Sequence, residues 1–418
     1  MALFFNFRYY VLMAKVIIDK RKIEDFLNSR YIDTIYPSKE QTLDLMSSGK
    51  QMTFYLGIDP TGSDLHLGHT TNLFILKKLA KLGHKVVLLI GDFTAQTGDP
   101  TGKDDTRKVL SAQEVKSNMK TYIEQVSKIL TKGSFKIKYN SQWLTKLTFT
   151  DIRKLARLIT VQQMTARDMF KKRLASNKSV TIEEFLYPLM QGYDSVAMEV
   201  DGEVGGTDQT FNMMVGRDLV KSILGKDKIV ITTKLLEDRQ TGKKLMSKSE
   251  GHYISLQDGS GEMFGRVMAL PDSVILDVLA YATEVSGQKI AEIKKRQESG
   301  ENPKVLKEEL AFELVRSFFG EKAAEQEKNE FERVFSQHQL PEDIKEISVD
   351  IAGEDIVGLI FKAGIINSKT EIKRLVGQKA VKVDDRVVEN WGEVINISED
   401  GVLLKIGPRR FYRIKRKN

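Results

Sequence analysis

The amino-acid sequence predicts an α/β fold: a doubly wound parallel sheet of the Rossmann-like type, then an α-helical domain and a small α+β module. In the first half of the chain, strand-like apolar runs alternate with helical patterns, which is typical of βαβ units. After about Glu262 the pattern is helical only. Residues 351–418 return to short mixed elements. A chain of 418 residues is long enough for two or three such domains.

The first βαβ unit is predicted from three consecutive segments. Residues 52–59, "MTFYLGID", alternate apolar and polar side chains and predict a strand. Residues 69–83, "HTTNLFILKKLAKLG", have helical periodicity, and residues 84–92, "HKVVLLIGD", suit a buried parallel strand. A second helix is predicted around 112–131 and a third strand at 135–140, so the same pattern continues.

Changes in this pattern divide the chain into five segments. Residues 1–12 are apolar but lack a basic start and are interrupted by polar side chains, so we predict a disordered extension, or a true start at Met13, rather than a signal peptide. We expect the Rossmann-like domain at 13–255, the α-helical domain at 256–340, a linker at 341–350 and the α+β module at 351–418.

Composition excludes several kinds of protein. The chain has no cysteine, so it has no disulfides, no thiolate zinc sites and no cysteine nucleophile. This fits a cytoplasmic location. No apolar run approaches the roughly 20 residues that cross a bilayer, so no membrane partner is expected.

The net charge of +8 is concentrated near the C-terminus. Residues 351–418 contain 14 Lys and Arg against 9 Asp and Glu, and the last twelve residues, "GPRRFYRIKRKN", mix basic and aromatic side chains. Such a surface suits a polyanion, with nucleic acid as the first candidate. A solubilising tail is the alternative that charge alone leaves open.

A pair of histidines follows the first strand in "DPTGSDLHLGH", residues 59–69. Ligands bind at the carboxyl ends of strands in open α/β sheets, and a helix N-terminus attracts phosphate. His66 and His69 lie one turn apart, and Gly68 lets a ligand approach the backbone. The residues favour phosphate binding, but a metal site with the nearby aspartates or a plain surface position also remains open.

A lysine-rich loop, "TGKKLMSKSEG", occupies residues 241–251. Together with the His-x-Gly-His turn it resembles the HIGH and KMSKS signatures of class I aminoacyl-tRNA synthetases. Aligned on Met-Ser-Lys-Ser, Lys248 takes the family's second lysine position. Leu245 stands where the family has its first lysine, and Lys244 lies one place earlier. The resemblance implies a phosphate-binding role for Lys248 and leaves that of Lys244 open.

Four further segments make the chain resemble the bacterial-type tyrosyl-tRNA synthetases over nearly its whole length. They are "YLGIDPT" (55–61), "GDPTGKDDTR" (98–107), "YPLMQGYD" (187–194) and "GGTDQ" (205–209). The third segment can also be interpreted without the resemblance. A capping box at residues 181 and 184 predicts a helix, on which the three polar side chains of that segment share one face. That face is either exposed to solvent or part of a pocket for a zwitterion with a phenol.

The resemblance implies a role for each residue of these motifs. The phenol of tyrosine would be bound by Tyr55 and Asp194, and its ammonium group by Asp99, Tyr187 and Gln191, with Gln209 nearby. The ribose and phosphates of ATP would be bound by Gly57, Asp59, Thr61, His66, Gly68, His69, Gly206 and Asp208. On mobile loops, Lys103, Arg107 and Lys248 would close on the pyrophosphate.

The implied reaction joins L-tyrosine to ATP, giving tyrosyl-adenylate and pyrophosphate, and then transfers tyrosine to the terminal adenosine of tRNA(Tyr). ATP with Mg²⁺ is the implied substrate, and no tightly bound protein metal is expected. Two alternatives remain: a tryptophanyl relative, and an RNA-binding paralogue with reduced catalysis.

The C-terminal segments also have counterparts in the family. Residues 256–340 take the place of its anticodon-binding domain. Residues 351–418 resemble the alpha-L RNA-binding module shared with ribosomal small-subunit protein S-four, in which Lys369, Lys373 and Arg374 would face phosphate. The resemblance further implies a homodimer.

Overall fold

A computed structural model of the chain describes residues 15–101, 110–238, 242–246, 253–336, 344–349, 354–398, 401–407 and 410–417. The chain divides into two compact units, one up to Glu321 and one from Lys322 onward. The extension predicted at residues 1–12 lies outside the described residues.

The first unit is built on a six-stranded sheet. Its strands are β1 (Ile32–Tyr36), β2 (Thr53–Ile58), β3 (Lys85–Ile90), β4 (Lys136–Tyr139), β5 (Gly202–Gly206) and β6 (Ile229–Thr233). Their order is β1-β6-β5-β2-β3-β4; β1 pairs in antiparallel fashion with β6, and all other neighbours are parallel. The α/β class and the three strands predicted up to residue 140 are confirmed. The strand order reverses between β2 and β5, which is where such sheets bind ligands.

Twelve helices accompany this sheet in the described part of residues 15–236. They are α1 (Lys20–Leu27), α2 (Lys39–Ser47), α3 (Thr70–Lys81), α4 (Thr94–Thr97), α5 (Ala112–Asn118), α6 (Tyr122–Ser127), α7 (Ser141–Leu144), α8 (Phe149–Ala156), α9 (Val161–Thr165), α10 (Asp168–Ala175), α11 (Ile182–Ala197) and α12 (Thr210–Leu224). The helix predicted at 69–83 is confirmed as α3. The single helix predicted at 112–131 is instead α5 and α6, because a 3-10 turn at Met119–Thr121 separates them.

The capping box predicted at Thr181 and Glu184 is present at the start of α11. The Thr181 hydroxyl accepts from the Glu184 backbone N–H at 3.4 Å, and the Glu184 carboxylate accepts from the Thr181 N–H at 2.9 Å. The same carboxylate binds the buried guanidinium of Arg173 at 2.5 Å. Pro188 lies inside α11 without ending it. The polar residues of this segment therefore lie on one continuous helix.

Two glycines allow α11 and α12 to pack closely. A Cβ atom on Gly192 would lie 2.8 Å from Leu219 Cδ1 and 3.2 Å from the Cα atom of Gly216. Real Cβ atoms do not approach backbone so closely without displacement. The position of α11 beside the sheet thus depends on the absence of these two side chains.

The rest of the first unit is a short hairpin followed by helices. The hairpin is β7 (Glu237–Asp238) and β8 (Lys243–Lys244), and β8 belongs to the lysine-rich loop. The helices are α13 (Ser260–Met268), α14 (Ile275–Ala282), α15 (Gly287–Glu298) and α16 (Pro303–Phe319), and α17 (Glu321–Phe331) begins at the last residue of the unit. The helical character predicted after Glu262 is confirmed.

The second unit is a small α+β domain. It contains β9 (Lys345–Val349), α18 (Ile356–Lys362), α19 (Lys369–Gly377), β10 (Val381–Val383), β11 (Arg386–Val387), β12 (Val402–Ile406) and β13 (Arg410–Arg416). The strand order is β11-β10-β12-β13-β9, with β9 parallel to β13. β9 lies within the segment predicted as a linker, and the domain boundaries given above stay predictions. Among the described residues, no helix is long and apolar enough to cross a membrane.

Candidate functional site

A cavity of about 610 Å³ lies at the carboxyl ends of β2 and β5. It is lined by every described residue that the sequence assigned to amino-acid or ATP binding: Tyr55, Gly57, Asp59, Thr61, His66, Gly68, His69, Asp99, Tyr187, Gln191, Asp194, Gly206, Asp208 and Gln209. Three other predicted residues, Lys103, Arg107 and Lys248, lie outside the described residues. The sheet therefore brings together residues from five separate sequence motifs.

Tyr55 and Asp194 form a buried polar end of this cavity. Tyr55 is fully buried on β2, with its hydroxyl 2.9 Å from Ser195 Oγ. Asp194 accepts hydrogen bonds from Trp143 Nε1 at 2.7 Å and from Asn140 Nδ2 at 3.3 Å. Burial raises the pKa of the Asp194 carboxyl, and these two donors oppose the rise. A carboxylate with two donors still has lone pairs for a ligand hydroxyl.

A second set of oxygens suits a cation. Asp99 accepts from the backbone N–H and the hydroxyl of Thr101, at 2.9 and 2.7 Å, and from Gln209 Nε2 at 2.6 Å. Gln191 donates from Nε2 to Glu203 Oε1 at 3.2 Å. The other side-chain atom, Gln191 Oε1, is buried and has no hydrogen-bond partner among the described residues. A carboxylate and an open amide oxygen together fit an ammonium group.

Tyr187 and Asp59 connect the amino-acid and ATP ends of the cavity. The Tyr187 hydroxyl donates to Asp59 Oδ2 at 2.8 Å, and Thr94 Oγ1 donates to Asp59 Oδ1 at 2.7 Å. Asn140 in turn donates to Thr94 Oγ1 at 2.9 Å. A Cβ atom at Gly91 would lie only 2.0 Å from Asp59 Oδ1, so glycine is required there. The hydroxyl that the sequence assigned to an ammonium group therefore also positions a carboxylate of the predicted ATP site.

His66 and His69 hold the turn before α3 by reciprocal hydrogen bonds. His66 Nδ1 accepts from the Gly68 backbone N–H at 3.1 Å, and His69 Nδ1 accepts from the His66 backbone N–H at 3.2 Å. The ring centroids are 4.1 Å apart. With Nδ1 as an acceptor, the neutral His66 ring carries its proton on Nε2. His69 Nδ1 also lies 3.3 Å from the His66 carbonyl oxygen, so which of its two ring nitrogens carries the proton depends on the tautomer. In either tautomer each neutral ring has one N–H donor.

His69 remains neutral over the physiological range. Burial lowers its pKa to about 4, although the His66 backbone and Asp208 act in the opposite direction. A neutral imidazole donates one hydrogen bond and is not consumed as an acid. Among the described residues, no group of three or more His, Asp or Glu side chains could hold a metal ion. The pair therefore fits phosphate recognition better than a metal site.

Lys244, rather than residue 245, provides a cation in the described part of the lysine-rich loop. Its Nζ atom lies 2.6 Å from Asp208 Oδ2, and it lines the cavity with its side chain half exposed. Leu245 is buried and packs away from solvent, at 3% exposure. The role that the sequence left open for Lys244 therefore has a structural basis, whereas Leu245 is a core residue.

The three residues predicted to bind RNA lie on α19 in the second unit. Lys369 lies over the ring of Phe361 at 5.3 Å, and Lys373 over the exposed ring of Trp391 at 4.2 Å. Arg374 instead pairs with Glu371 on its own helix, 2.5 Å away. The two lysines thus share a surface with aromatic rings, whereas the guanidinium of Arg374 is in an ion pair with Glu371.

Sequence reasoning missed five side chains at the buried end of the cavity: Asn140, Trp143, Ser195, Glu203 and Lys228. Asn140 directly follows β4, and a polar residue at the carboxyl end of a strand was a usable signal. Lys228 immediately precedes the apolar strand β6, and no local pattern distinguishes it from a surface lysine.

Comparison with known families gives a match over most of the chain. The family model described as "tRNA synthetases class I (W and Y)" matches residues 46–336. That span includes the whole cavity and the helices α13–α17. A tyrosine–tRNA ligase from Carboxydothermus hydrogenoformans is 43% identical over 406 residues, covering 94% of this chain and 98% of that protein. One from Thermotoga maritima is 40% identical, with 93% and 96% covered.

Solved structures have the same fold. A truncated mitochondrial tyrosyl-tRNA synthetase from Aspergillus nidulans aligns with a TM-score of 0.61 at 23% identity, covering 76% of this chain and 94% of that one. A tyrosyl-tRNA synthetase from Archaeoglobus fulgidus, solved with L-tyrosine, aligns with a TM-score of 0.57 at 20% identity, covering 74% of this chain and all of that one.

Proposed function

The chain belongs to the class I tRNA synthetases of the tryptophanyl and tyrosyl type and acts as a tyrosine–tRNA ligase, and we propose how its side chains perform that activity. Its substrates are tyrosine, ATP and tRNA. The observation that carries the residue assignment is the buried pair of Tyr55 and Asp194, a hydroxyl and a carboxylate that together fit one phenol.

The amino-acid site reads both ends of tyrosine. Tyr55 donates a hydrogen bond to the phenol oxygen, and the Asp194 carboxylate accepts a hydrogen bond from the phenol hydroxyl. Trp143 and Asn140 hold that carboxylate in place. At the other end, Asp99 and Gln191 Oε1 accept from the ammonium group. Gln209 orients Asp99 by its hydrogen bond of 2.6 Å. Tyr187 completes this end through its contact with Asp59.

The ATP site uses the turn before α3 and the edge of β5. Nε2 of His66 and His69 donates to phosphate oxygens at the N-terminus of a helix, a position that favours negative charge. Thr61 adds a hydroxyl at the same end of the cavity, and Asp208 accepts from the ribose. Gly57, Gly68 and Gly206 leave room for the nucleotide beside the backbone.

Adenylate formation needs no enzyme nucleophile. An oxygen of the tyrosine carboxylate attacks the α-phosphorus, the P–O bond to the β-phosphate breaks, and pyrophosphate leaves. The protein contributes alignment of the two substrates and positive or hydrogen-bonding groups where negative charge grows. Lys244 is one such group, and Lys103, Arg107 and Lys248 are proposed from the sequence. ATP enters as its Mg²⁺ complex, with the metal held by phosphate oxygens.

The second unit supplies RNA affinity for the transfer step. Lys369 and Lys373 present two cations on one face of α19, and Phe361 and Trp391 lie beneath them. Cations contact phosphates and aromatic rings stack on unpaired bases, which is a common way to bind RNA. The helices after residue 256 correspond to the anticodon-binding domain of the family and are proposed to bind the anticodon of the tRNA. A cytoplasmic location suits the tRNA substrate.

A homodimer is supported by exposed apolar side chains on the first unit. Phe149, Val161 and Ile182, from α8, α9 and α11, are 84%, 65% and 79% exposed. Large apolar side chains that stay in contact with water are commonly covered by a partner chain. Light scattering of the purified protein measures the state, and a monomer at micromolar concentration would contradict the proposal.

Amino-acid-dependent exchange between ATP and pyrophosphate tests the assignment. Wild-type protein should exchange with tyrosine and far less with phenylalanine or tryptophan, because neither can pair both Tyr55 and Asp194. Tyr55→Phe keeps the ring and should lower the tyrosine-to-phenylalanine ratio about ten-fold, since a neutral hydrogen bond contributes about 1–1.5 kcal/mol. Asp194→Ala should nearly abolish exchange. An unchanged ratio in Tyr55→Phe would show that the phenol is bound elsewhere.

A further inference from the structure

A buried ion pair lies directly behind the amino-acid site and has no part in the mechanism above. Lys228 Nζ is 2.5 Å from Glu203 Oε2, and their side chains are 0% and 3% exposed. Replacing a buried ion pair by apolar side chains is often neutral or stabilising, so a charged pair at this depth calls for a reason other than stability.

The pair reaches both ends of the proposed tyrosine site. On one side, Lys228 Nζ donates to Ser195 Oγ at 2.9 Å, and Ser195 Oγ is 2.9 Å from the Tyr55 hydroxyl. On the other side, Glu203 Oε1 accepts from Gln191 Nε2 at 3.2 Å. One buried cation is therefore two hydrogen bonds away from the phenol-binding hydroxyl and, through its carboxylate, two away from the ammonium-binding amide.

The chemistry of the pair fixes the direction of the hydrogen bonds that Lys228 and Glu203 themselves make. An ammonium group can only donate, so Ser195 Oγ accepts from Lys228 and has its own proton available for the Tyr55 oxygen. The Tyr55 proton is then left for another acceptor, which is either Glu203, a further hydrogen-bond partner of Tyr55, or a ligand oxygen on the cavity side. A carboxylate can only accept, so Gln191 must turn its NH₂ group toward Glu203. The Gln191 carbonyl is thereby left buried and open toward the cavity.

The packing around the ammonium group leaves room for it. A Cβ atom at Gly216 would lie 2.6 Å from Lys228 Nζ and 3.2 Å from Ser195 Oγ. Burial lowers the pKa of Lys228, and Glu203 beside it opposes that change. The adjacent Glu203 carboxylate favours the charged form of Lys228.

We propose that Lys228 and Glu203 are positioning residues that set the polarity of both ends of the tyrosine site: Tyr55 as a donor to the phenol, and Gln191 as an acceptor for the ammonium group. The proposal rests on the tyrosine-binding roles assigned above to Tyr55 and Gln191. Glu203 lines the cavity and Lys228 does not, and the role proposed for both is exerted through Tyr55 and Gln191.

Two variants separate the branches without leaving a buried charge unpaired. Ser195→Ala cuts the link to Tyr55 and keeps the ion pair. The double variant Lys228→Met/Glu203→Gln replaces the pair by neutral side chains of similar shape, and its amide no longer dictates the orientation of Gln191. Thr232→Val is the matched control, because Thr232 is equally buried on β6 and, among the described residues, its hydroxyl hydrogen-bonds to Thr34 alone.

Two tyrosine analogues report on the ends separately. L-Phenylalanine keeps the ammonium group and lacks the hydroxyl, whereas 3-(4-hydroxyphenyl)propanoate keeps the hydroxyl and lacks the ammonium group. In pyrophosphate exchange, Ser195→Ala should lower the tyrosine-to-phenylalanine ratio about ten-fold with KM for ATP unchanged. The double variant should lower the tyrosine-to-phenylalanine ratio as well. The double variant should also raise Kd for tyrosine, and this increase should be about ten-fold larger than the increase in the inhibition constant of the propanoate.

The outcomes distinguish this proposal from the assignment of the site itself. If Tyr55→Phe lowers the tyrosine-to-phenylalanine ratio but Ser195→Ala and the folded double variant behave like Thr232→Val, the site stands and the positioning role is wrong. If Tyr55→Phe also has no effect, the site assignment fails first. Circular dichroism and the thermal midpoint establish that each variant is folded. If the double variant does not fold, the tyrosine-to-phenylalanine ratio of Ser195→Ala decides. A ten-fold lower ratio supports the proposal, and an unchanged ratio overturns it.

Discussion

Lys244 is the residue at which this chain departs from the lysine pattern of its family. Its ammonium group rests on Asp208, 2.6 Å away, where the ribose of ATP is proposed to bind. The pair is half exposed, so its attraction contributes little to stability and is easily exchanged for another partner. We expect Lys244 to move from Asp208 to the phosphates as charge develops on them.

Replacing Lys244 by methionine should slow tyrosyl-adenylate formation. A fully buried transition-state donor contributes about 10²–10³-fold, and a half-exposed cation should contribute less, about ten- to a hundred-fold. The affinity for tyrosine should be unchanged, because Lys244 does not reach that end of the cavity. Single-turnover kinetics measures both quantities. Lys226→Met is the control, since that lysine pairs with Asp201 away from the site; equal rates in the two variants would remove Lys244 from catalysis.

His84 makes the stability of the first unit depend on pH. It is 5% exposed, its Nε2 atom has no hydrogen-bond partner among the described residues, and burial lowers its pKa to about 4. The unfolded chain, with the usual pKa near 6.5, therefore binds a proton at a pH where the folded chain does not. Stability is complete above pH 6.5 and is lost as pH falls toward 4, by about 2 kcal/mol between pH 7 and 5.

Urea unfolding at pH 7 and pH 5 checks this sign and size. The chain has two tryptophans, Trp143 in the first unit and Trp391 in the second, so a Trp391→Phe background lets fluorescence report the first unit alone. His84→Phe in that background should lose about 2 kcal/mol less than its parent between the two pH values. Parallel pH dependences in parent and variant would show that His84 is protonated in the folded state.

Single residues were predictable from the sequence where a motif or a helical face marked them, and not where partners come from distant segments. Tyr187, Gln191 and Asp194 share a face at i, i+4 and i+7, and that face lines the cavity. The partners Trp143 and Lys228 come from other segments of the chain. Their contacts are set by strand pairing and helix packing, which no local spacing encodes.

Among the secondary-structure elements, α11 is held by a close crossing with α12 that a single methyl group would disturb. Gly192→Ala should destabilise the first unit by about 1–3 kcal/mol, because the added Cβ meets Leu219 and the backbone of Gly216. It should also raise KM for tyrosine, since α11 carries three residues of the site. Urea unfolding and exchange kinetics measure the two effects.

Gly287→Ala provides the matched comparison for this element. Gly287 begins α15, and a Cβ atom there would meet nothing within 4 Å. Alanine is the better helix former, so this substitution should leave KM unchanged and raise stability by up to about 1 kcal/mol. Destabilisation of the same size in both variants would mean that the crossing of α11 and α12 is not the cause.

At the scale of elements, the sequence predicted what depends on local patterns. An apolar run located β3, and the capping box located the start of α11. Local sequence does not decide whether α11 continues through Pro188, because helix packing and the ion pair of Glu184 with Arg173 hold it. The strand order β1-β6-β5-β2-β3-β4 depends on contacts between segments far apart in the chain.

For the whole molecule, the division into two compact units predicts that adenylate formation and tRNA binding can be separated. A chain ending at Ser336 keeps the cavity and removes β9 together with the rest of its sheet. It should exchange pyrophosphate with tyrosine as the full chain does and charge tRNA poorly, because Lys369 and Lys373 are absent. Comparing exchange with aminoacylation in both chains measures this, and equal charging would remove the second unit from RNA binding.

The salt dependence of tRNA binding provides the control in the full chain. Each lysine–phosphate contact releases a counterion, so affinity falls with salt concentration. The double variant Lys369→Gln/Lys373→Gln should reduce the slope of log K against log salt by about 2 without altering exchange. An unchanged slope would place the RNA on another surface.

The strand order has a consequence for accuracy during synthesis of the protein. Tyr55 lies on β2, Glu203 enters the site only when β5 pairs with β2, and Lys228 only when β6 pairs with β5, while Asp194 enters with α11. Each of these pairings joins residues far apart in the chain, so they form late in folding. A partly folded chain has neither the donor nor the acceptor in place for the phenol. Such a chain would be inactive rather than error-prone, and immature copies would not attach the wrong amino acid to tRNA.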